Sequence, residues 1–215
     1  YSDNVASKLF DVAAQTDGVY VVTGNEQGTA ASSFLARVDE DANIDLAFGT
    51  NGYAPVQIAG KTTLLSTTKP DEDFVSVGGL SEGPYTGRGI VSKITPAGQS
   101  DSEFNKGLPA LLSASDRTVI LRDAIATNRH ITVAGDGRSP EGQRSTLARY
   151  QLNGDLDPGF PGNGVILDSP LRTIFALLPQ ADGKFIAVGD IDNQLAMCRF
   201  RLNAGTEGAT CRSSE

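Results

Sequence analysis

Residues 147–164 read LARYQLNGDLDPGFPGNG, and related segments occur at residues 35–52 (LARVDEDANIDLAFGTNG) and 91–108 (VSKITPAGQSDSEFNKGL). A cation, an aspartate and a phenylalanine recur in all three segments at intervals of 56 residues (104 − 48 and 160 − 104). A constant interval for three residue types indicates a repeated structural unit. The cations are Arg37, Lys93 and Arg149, the acids are Asp45, Asp101 and Asp157, and the aromatic residues are Phe48, Phe104 and Phe160.

A fourth, altered copy lies near the C-terminus. Residues 197–200 (MCRF) align with residues 147–150 (LARY) at a shift of 50 (197 − 147), which places Thr210 where Phe160 stands in the third copy. The last unit therefore has a shorter internal loop and lacks the phenylalanine. The four repeats cover approximately residues 7–58, 60–112, 117–168 and 171–215.

Each unit has the pattern of short β-strands. Apolar and polar residues alternate with period two between glycines, which is typical of antiparallel strands joined by tight turns. The second strand of each unit is almost wholly apolar, so we expect it to be covered on both faces, and its terminal glycine suits a bulge. The second strands are residues 19–24, 74–79, 130–135 and 185–189, and fourth strands are expected at residues 53–58, 108–112 and 165–168.

Four such units predict an all-β fold, namely a β-propeller of four blades, each a four-stranded antiparallel sheet. Residues 1–215 would form this single domain, and four blades are enough to close a ring. Each repeated phenylalanine is expected to fill the seam between its own blade and the next. The last unit shows no strong fourth strand, so residues 1–6 are predicted to close the ring by pairing with the last blade.

The repeat resembles the delta-60 repeat of bacterial β-propellers. That pattern contains a Q-x-D-G-K turn, a V-A-G strand end, an L-A-R-Y strand and an L-D-x-x-F-G-x-x-G turn. The chain carries related segments at residues 180–184 (QADGK), 133–135 (VAG), 147–150 (LARY) and 44–52 (IDLAFGTNG). The match covers nearly the whole chain and is weaker in units two and four. The resemblance implies a propeller and often an exported bacterial protein, and it supplies no catalytic residue.

Composition excludes several classes of function. The chain has 26 acidic and 18 basic residues and a net charge of −8, so no nucleic-acid partner is expected. No apolar run approaches the ~20 residues that span a bilayer, so no membrane insertion is expected. The chain begins at Tyr1 rather than at a methionine, as a processed mature chain or a trimmed chain would.

The repeated cations allow two interpretations. Together with Arg199 of the last unit, they could face the central channel and hold an anion, or each could pair with the acid eight residues later. In the last unit that acid is Glu207. Because cation and acid recur together, the sequence favours the ion pairs.

A second set of polar residues follows the second strands. Asn25, Asp136 and Asp190 lie there in units one, three and four, and Asp192 follows in the last unit. Their oxygens could bind sugar hydroxyls or Ca²⁺, although Asp and Asn are also favoured in hairpin loops for conformational reasons. These four are the candidate ligand-binding residues, and no other metal or cofactor is expected.

The only histidine, His130, stands where the other units have Val19, Phe74 and Phe185. A single histidine excludes a His-rich metal site, and a structural role is favoured over a Ser-His-Asp triad. The chain contains no P-loop, dinucleotide fingerprint or CxxC motif.

Two functions from different classes remain open. The first is an exported module, a monomer or homodimer, that binds a protein or glycan through its variable loops without catalysis. The alternative is a hydrolase or lyase with a carboxylate-lined site at the channel mouth, acting on a glycan.

The two cysteines, Cys198 and Cys211, are predicted to form a disulfide bond. Residues 203–205 (NAG) lie midway between them and suit a chain reversal, so a hairpin would place the cysteines opposite each other. The bridge would replace the anchor lost where Thr210 takes the place of the phenylalanine. A disulfide indicates an oxidising compartment, so an extracellular or periplasmic location is expected.

Overall fold

The computed structural model of the chain describes residues 7–15, 18–26, 33–56, 58, 60–68, 73–82, 86–201 and 209–214. Within these ranges the chain forms sixteen β-strands and no α-helix. The strands make four antiparallel sheets of four strands each, and every sheet uses consecutive strands. The fold is therefore the predicted all-β propeller of four blades.

The blades follow one another along the chain. The first contains β1 (Ser7–Ala14), β2 (Tyr20–Glu26), β3 (Ser33–Val38) and β4 (Tyr53–Pro55). The second contains β5 (Lys61–Thr68), β6 (Phe74–Ser81), β7 (Gly87–Ile94) and β8 (Ala110–Leu112). The third contains β9 (Ile120–Ala126), β10 (His130–Ser139), β11 (Gly142–Gln151) and β12 (Val165–Leu167). The fourth contains β13 (Thr173–Pro179), β14 (Phe185–Ile191), β15 (Gln194–Phe200) and β16 (Thr210–Ser213).

The second strand of each blade carries the predicted glycine opposite a β-bulge in the first strand. Gly78 pairs with Leu64 at the bulge, and a Cβ atom at Gly78 would lie 1.8 Å from the carbonyl oxygen of Thr63. The same approach, at 1.9 and 1.8 Å, occurs at Gly135 and Gly189. Since no side chain fits there, the glycine is required by the contact with the first strand.

The repeated phenylalanines fill the seams between blades, as predicted. Phe48 is fully buried and packs edge-to-face on Phe74 of the second blade, with ring centroids 6.3 Å apart. Phe104 and Phe160 are also buried, in the apolar clusters between blades two and three and between blades three and four. Three seams thus use the same aromatic residue.

The last blade has a fourth strand of its own, contrary to the expectation from the sequence. This strand, β16, pairs with β15 and places Cys211 opposite Cys198, and the two cysteines form a disulfide bond. The strand was missed because its sequence, TCRS, has neither apolar alternation nor a phenylalanine. The proposed closing segment, residues 1–6, and the proposed reversal at residues 203–205 lie outside the described residues.

The first and last blades each leave an apolar sheet face exposed. Leu64, Leu121 and Ile174 are fully buried against the preceding blade, whereas Leu9, at the same position of the first blade, is 63% exposed. In the last blade of the chain, Met197 is 51% exposed. The described residues therefore leave the seam between blades four and one open, which differs from the closed ring expected from the sequence.

Replacement of the seam residue Phe104 by alanine should destabilise the fold. Removing a fully buried phenylalanine costs about 3–5 kcal/mol through lost burial and a residual cavity. The matched control is Phe175→Ala, because the Phe175 side chain is 51% exposed and should cost no more than about 1 kcal/mol. Urea denaturation of both variants measures the difference, and equal losses would contradict the proposed seam role.

The disulfide should contribute about 3 kcal/mol to stability, because it restricts the conformations of the unfolded chain. The double variant Cys198→Ala/Cys211→Ala should unfold at a correspondingly lower denaturant concentration. Thiol counting on the denatured, unreduced protein provides the independent check. No reactive thiol is expected, and two reactive thiols per chain would show that the bond does not form.

Candidate functional site

The repeated cations lie in ion pairs with the acids eight residues later. In the first unit, Nε of Arg37 donates to Asp45 at 2.8 Å, and Nη1 donates to the carbonyl oxygen of Pro96 on the second blade at 2.8 Å. The guanidinium also lies over the ring of Phe48, 5.1 Å from its centroid. One side chain thus connects an acid, an aromatic ring and the next blade.

The third unit repeats this arrangement in a more buried form. Nε of Arg149 donates to Asp157 at 2.6 Å, and the guanidinium lies 4.9 Å from the ring centroid of Phe160. Burial alone would raise the pKa of Asp157, but the backbone N–H of Gly159 and the charge of Arg149 together hold that pKa below its ordinary value. The pair is therefore ionised at neutral pH.

The cation of unit two has a second acid partner, and the cation of unit four binds a different acid. Lys93 contacts both Asp101, at 2.6 Å, and Asp73, at 2.8 Å. Arg199 contacts Asp182 at 2.7 Å, and its predicted partner Glu207 lies outside the described residues. The ion-pair interpretation is thus confirmed for the first three units.

His130 lies one residue before the position that the sequence assigned to it. Ile131 pairs with Tyr150 across the third blade, as Phe74 pairs with Ile94 across the second. Ile131 is therefore the equivalent of Phe74, and it is fully buried. The shift by one residue moves the histidine to the more exposed start of the strand.

The surroundings of His130 favour its neutral form. Its Nε2 atom lies 3.2 Å from a carboxylate oxygen of Asp157. Its pKa is nevertheless lowered, first because partial burial disfavours the charged ring and then because Arg149 is close. The carboxylate is already neutralised by Arg149, so the histidine adds no third charge at pH 7. This arrangement supports a structural role.

Asn25 connects the first two blades. Its Oδ1 atom accepts hydrogen bonds from the hydroxyl of Ser33 at 2.7 Å and from the backbone N–H of Leu64 at 3.1 Å. The residue is buried, so these contacts with the neighbouring blade account for its side chain.

Asp136 and Asp190 are buried carboxylates that are held by arginines. Asp136 accepts hydrogen bonds from Arg122 and Gln143, and Asp190 accepts one from Nε of Arg172 at 2.8 Å. Neither arginine was predicted from the sequence. Arg122 and Asp123 interrupt the apolar residues of β9 at its bulge, and this interruption was the available signal.

Asp192 lies on the turn between β14 and β15. Asp192 and Asn193 form a two-residue hairpin loop between Ile191 and Gln194, with φ values of 51° and 66°. Positive φ at both positions is the type I′ geometry, for which Asp and Asn are favoured. Asn193 Oδ1 accepts a hydrogen bond from Nη2 of Arg172 at 2.5 Å, so this arginine connects the turn to the buried acid before it.

A polar cleft of about 390 Å³ lies between the third and fourth blades. It is lined by residues 141–145, 168–172 and 191–192, and eight of these twelve residues are polar or charged. The hydroxyls of Ser145 and Ser169 are 2.8 Å apart inside it. Of the four predicted ligand-binding residues, Asp192 lines this cleft, and Asp190 supports it through Arg172.

The carboxylates of the cleft differ in their environment. Asp168 is bound at 2.5 Å by Arg117, whose side chain is almost fully buried. Among the described residues, Glu141 and Asp192 are the lining carboxylates without an ion-pair partner. The cleft therefore offers two free acids beside fixed hydroxyl and guanidinium groups.

Carboxylates also lie on the first strands of the first and third blades, β1 and β9. Asp11 accepts the backbone N–H of Thr67 at 2.8 Å, and Asp123 accepts that of Leu177 at 2.7 Å. The hydroxyl of Ser66 lies 3.1 Å from Asp11 and 2.9 Å from Asp123. Each acid is thus bonded to the backbone of the following blade, which is a structural use.

The described ranges contain no group of three or more His, Cys, Asp and Glu side chains that could hold a metal ion. Within the same ranges, no helix is long and apolar enough to cross a membrane.

Comparison with known proteins supports the fold. Residues 127–160 match the family described as "Domain of unknown function (DUF5122) beta-propeller". No curated protein sequence matches the chain. The crystal structure of the polysaccharide lyase Uly1 is similar to 97% of this chain, with a TM-score of 0.57 and 7% identity.

A Synechocystis apocarotenoid oxygenase is similar to 91% of the chain, with a TM-score of 0.50 and 10% identity. The matched regions are 48% of the lyase chain and 46% of the oxygenase chain. The chain thus spans about half the length of these two proteins. At such identities the likeness concerns the fold alone.

The Asp157 ion pair predicts a pH-dependent contribution to stability. Because its folded pKa lies below the ordinary value of 3.8, the contribution is present above that value and is lost as the pH falls through the folded pKa. Asp157→Asn should therefore be less stable than the wild type at pH 7, and the gap should narrow below about pH 4. Denaturation curves at several pH values measure it.

The matched control is Asp155→Asn, two residues away, where the acid is exposed. This variant should follow the wild-type pH profile. A gap between Asp157→Asn and wild type that is constant from pH 7 to pH 3 would show that the ionised pair is not what stabilises this turn.

Proposed function

We propose that the protein is an exported β-propeller of the delta-60 repeat type that binds a glycan in the cleft between its third and fourth blades. The observation that carries the proposal is the cleft itself, with its polar lining and its two free carboxylates. Its volume lies within the roughly 300–1,000 Å³ of small-molecule sites.

The chemistry of the cleft suits a ligand rich in hydroxyl groups. Free carboxylates accept hydrogen bonds from hydroxyls, while Arg172 and the hydroxyls of Ser145 and Ser169 can donate them. Arg172 is fixed by Asp190 and Asn193, so little side-chain freedom is lost when a ligand binds. The loops that form the cleft belong to the variable side of each unit.

Binding is favoured over catalysis because three acids in or near the cleft are engaged in ion pairs. Asp136, Asp168 and Asp190 each pair with an arginine, which occupies carboxylate oxygens that a general base would turn toward the substrate. The alternative, a hydrolase or lyase acting on a glycan, would have to use Glu141 and Asp192. Both lie exposed on loops.

Two further observations support export and the repeat type. The disulfide between Cys198 and Cys211 suits an oxidising compartment such as the periplasm or the extracellular space. The family match covers residues 127–160. The ion pair and the buried phenylalanine recur in units one to three, so the repeat extends beyond the matched region.

Replacement of Asp192 by asparagine should weaken glycan binding without disturbing the fold. Asparagine adopts the positive φ of this turn as readily as aspartate does, so the change removes the charge and keeps the loop. A glycan array identifies a ligand, and calorimetry with that oligosaccharide measures the affinity. Losing a charged hydrogen bond should weaken binding by about tenfold.

The control is Asp41→Asn, which makes the same change on an exposed turn at the opposite rim. It should bind as the wild type does. An array with no bound glycan, or equal affinity of wild type and Asp192→Asn, would contradict the proposal. Shortened or unsaturated sugar products would favour the hydrolase or lyase instead.

A further inference from the structure

We propose that the exposed sheet faces of the first and last blades bind each other between two copies of this chain, so that two chains close one ring of eight blades. In each blade, the leading face is the sheet face that packs on the preceding blade, and the trailing face packs on the following one. The leading face of blade one and the trailing face of blade four have no neighbour among the described residues.

The leading face of the first blade has the composition of a buried seam. Leu9 is equivalent to Leu64, Leu121 and Ile174, which are fully buried. Val12 is 57% exposed, while its equivalent in the second blade, Thr67, is 6% exposed. Positions that are buried in the other blades are thus exposed to solvent in the first blade.

The trailing face of the last blade shows the same contrast. Met197 corresponds to Leu35, Val91 and Leu147, which are 0% exposed, yet Met197 is 51% exposed. Leu195, beside it on the same face, is 61% exposed. Apolar side chains of this size contribute about 1.5–3 kcal/mol each when buried, so covering both faces would stabilise the chain.

The leading face of blade one and the trailing face of blade four carry the same positions that meet in the internal seams. Leu35 and Leu64 belong to one cluster between blades one and two, and Leu147 and Ile174 belong to one cluster between blades three and four. Contact between Met197 of one copy and Leu9 of another would reproduce this pair. A repeat supplies such complementarity because every seam uses equivalent positions.

Charge at the rim favours the same pairing. In the internal seam, Arg37 donates to the carbonyl oxygen of Pro96, in a turn of the second blade. The equivalent turn of the first blade is the acidic segment at residues 39–41 (DED), and the equivalent of Arg37 in the last blade is Arg199. Pairing the last blade with the first therefore brings a cation to an acidic turn. Pairing like ends would instead bring acids to acids and cations to cations.

Two copies of the chain together have a number of blades that is known in propellers. Two chains of four blades give eight, which is within the range of known propellers. The lyase and the oxygenase that share the fold are each about twice as long as the region that matches this chain. Head-to-tail contacts form a closed ring when the rotation closes, and the proposal requires closure after two copies.

The solution mass of residues 1–215, measured by light scattering after gel filtration, tests the proposal. A dimer of about 45 kDa is expected, twice the chain mass of 22.5 kDa. Leu9→Glu and Met197→Glu should each shift the mass to the monomer, because each of the two seams of the dimer contains one Leu9 and one Met197. Both side chains are exposed in the single chain, so circular dichroism should show folded variants.

The matched control is Leu108→Glu, which places the same charge at a leucine that is 56% exposed on the second unit. It should remain a dimer. A cysteine pair, Leu9→Cys with Met197→Cys, tests the orientation, because oxidation should join position 9 of one chain to position 197 of the other.

A monomeric wild type would overturn the proposal and would assign the open faces to other segments or partners. Open oligomers larger than a dimer, a dimer unaffected by both glutamate variants, or cross-links that join position 9 to position 9 would overturn it as well.

Discussion

The contact on which the structure depends is a guanidinium that lies over a buried phenylalanine while it binds a carboxylate eight residues later. In the first unit, Arg37 extends this contact to a carbonyl oxygen of the next blade. A four-stranded sheet exposes an apolar face on each side, and a single unit cannot cover both. A buried phenylalanine fills each of the three internal seams, and in units one and three an arginine over that ring also binds the recurring acid. This shared packing explains why the sequence keeps these residues at one interval.

This constraint separates the molecule into seams that are repeated between units and loops whose length varies between units. The acids that approach the axis, such as Asp11 and Asp123, are bonded to the backbone of the following blade. Asn25 is used in the same way. Groups that remain available to a ligand therefore lie where chain length varies between units, at the rim. The cleft between blades three and four combines such groups, and the unfilled end faces offer apolar surface of a different kind.

Much of the fold follows from the sequence because repetition fixes it. The interval of 56 residues, the apolar second strands and the bulge glycines predict the sheets, and Cys198 and Cys211 are joined as their symmetry suggests. Two features were not predictable from one unit. The strand β16 carries no periodic signal, and closure of the ring depends on the angle between blades, which no local pattern encodes.

The site was harder to foresee because its partners come from distant segments. Asp136 and Asp190 were recognised as candidate polar residues, but the arginines that bind them precede these two aspartates by 14 and 18 residues. The central claim, that cation and aromatic ring act as one seam unit, is tested most directly by a double-mutant cycle on Arg149→Met and Phe160→Leu. A coupling free energy of about 1 kcal/mol or more is predicted for this contact, whereas losses that add within about 0.3 kcal/mol would contradict it.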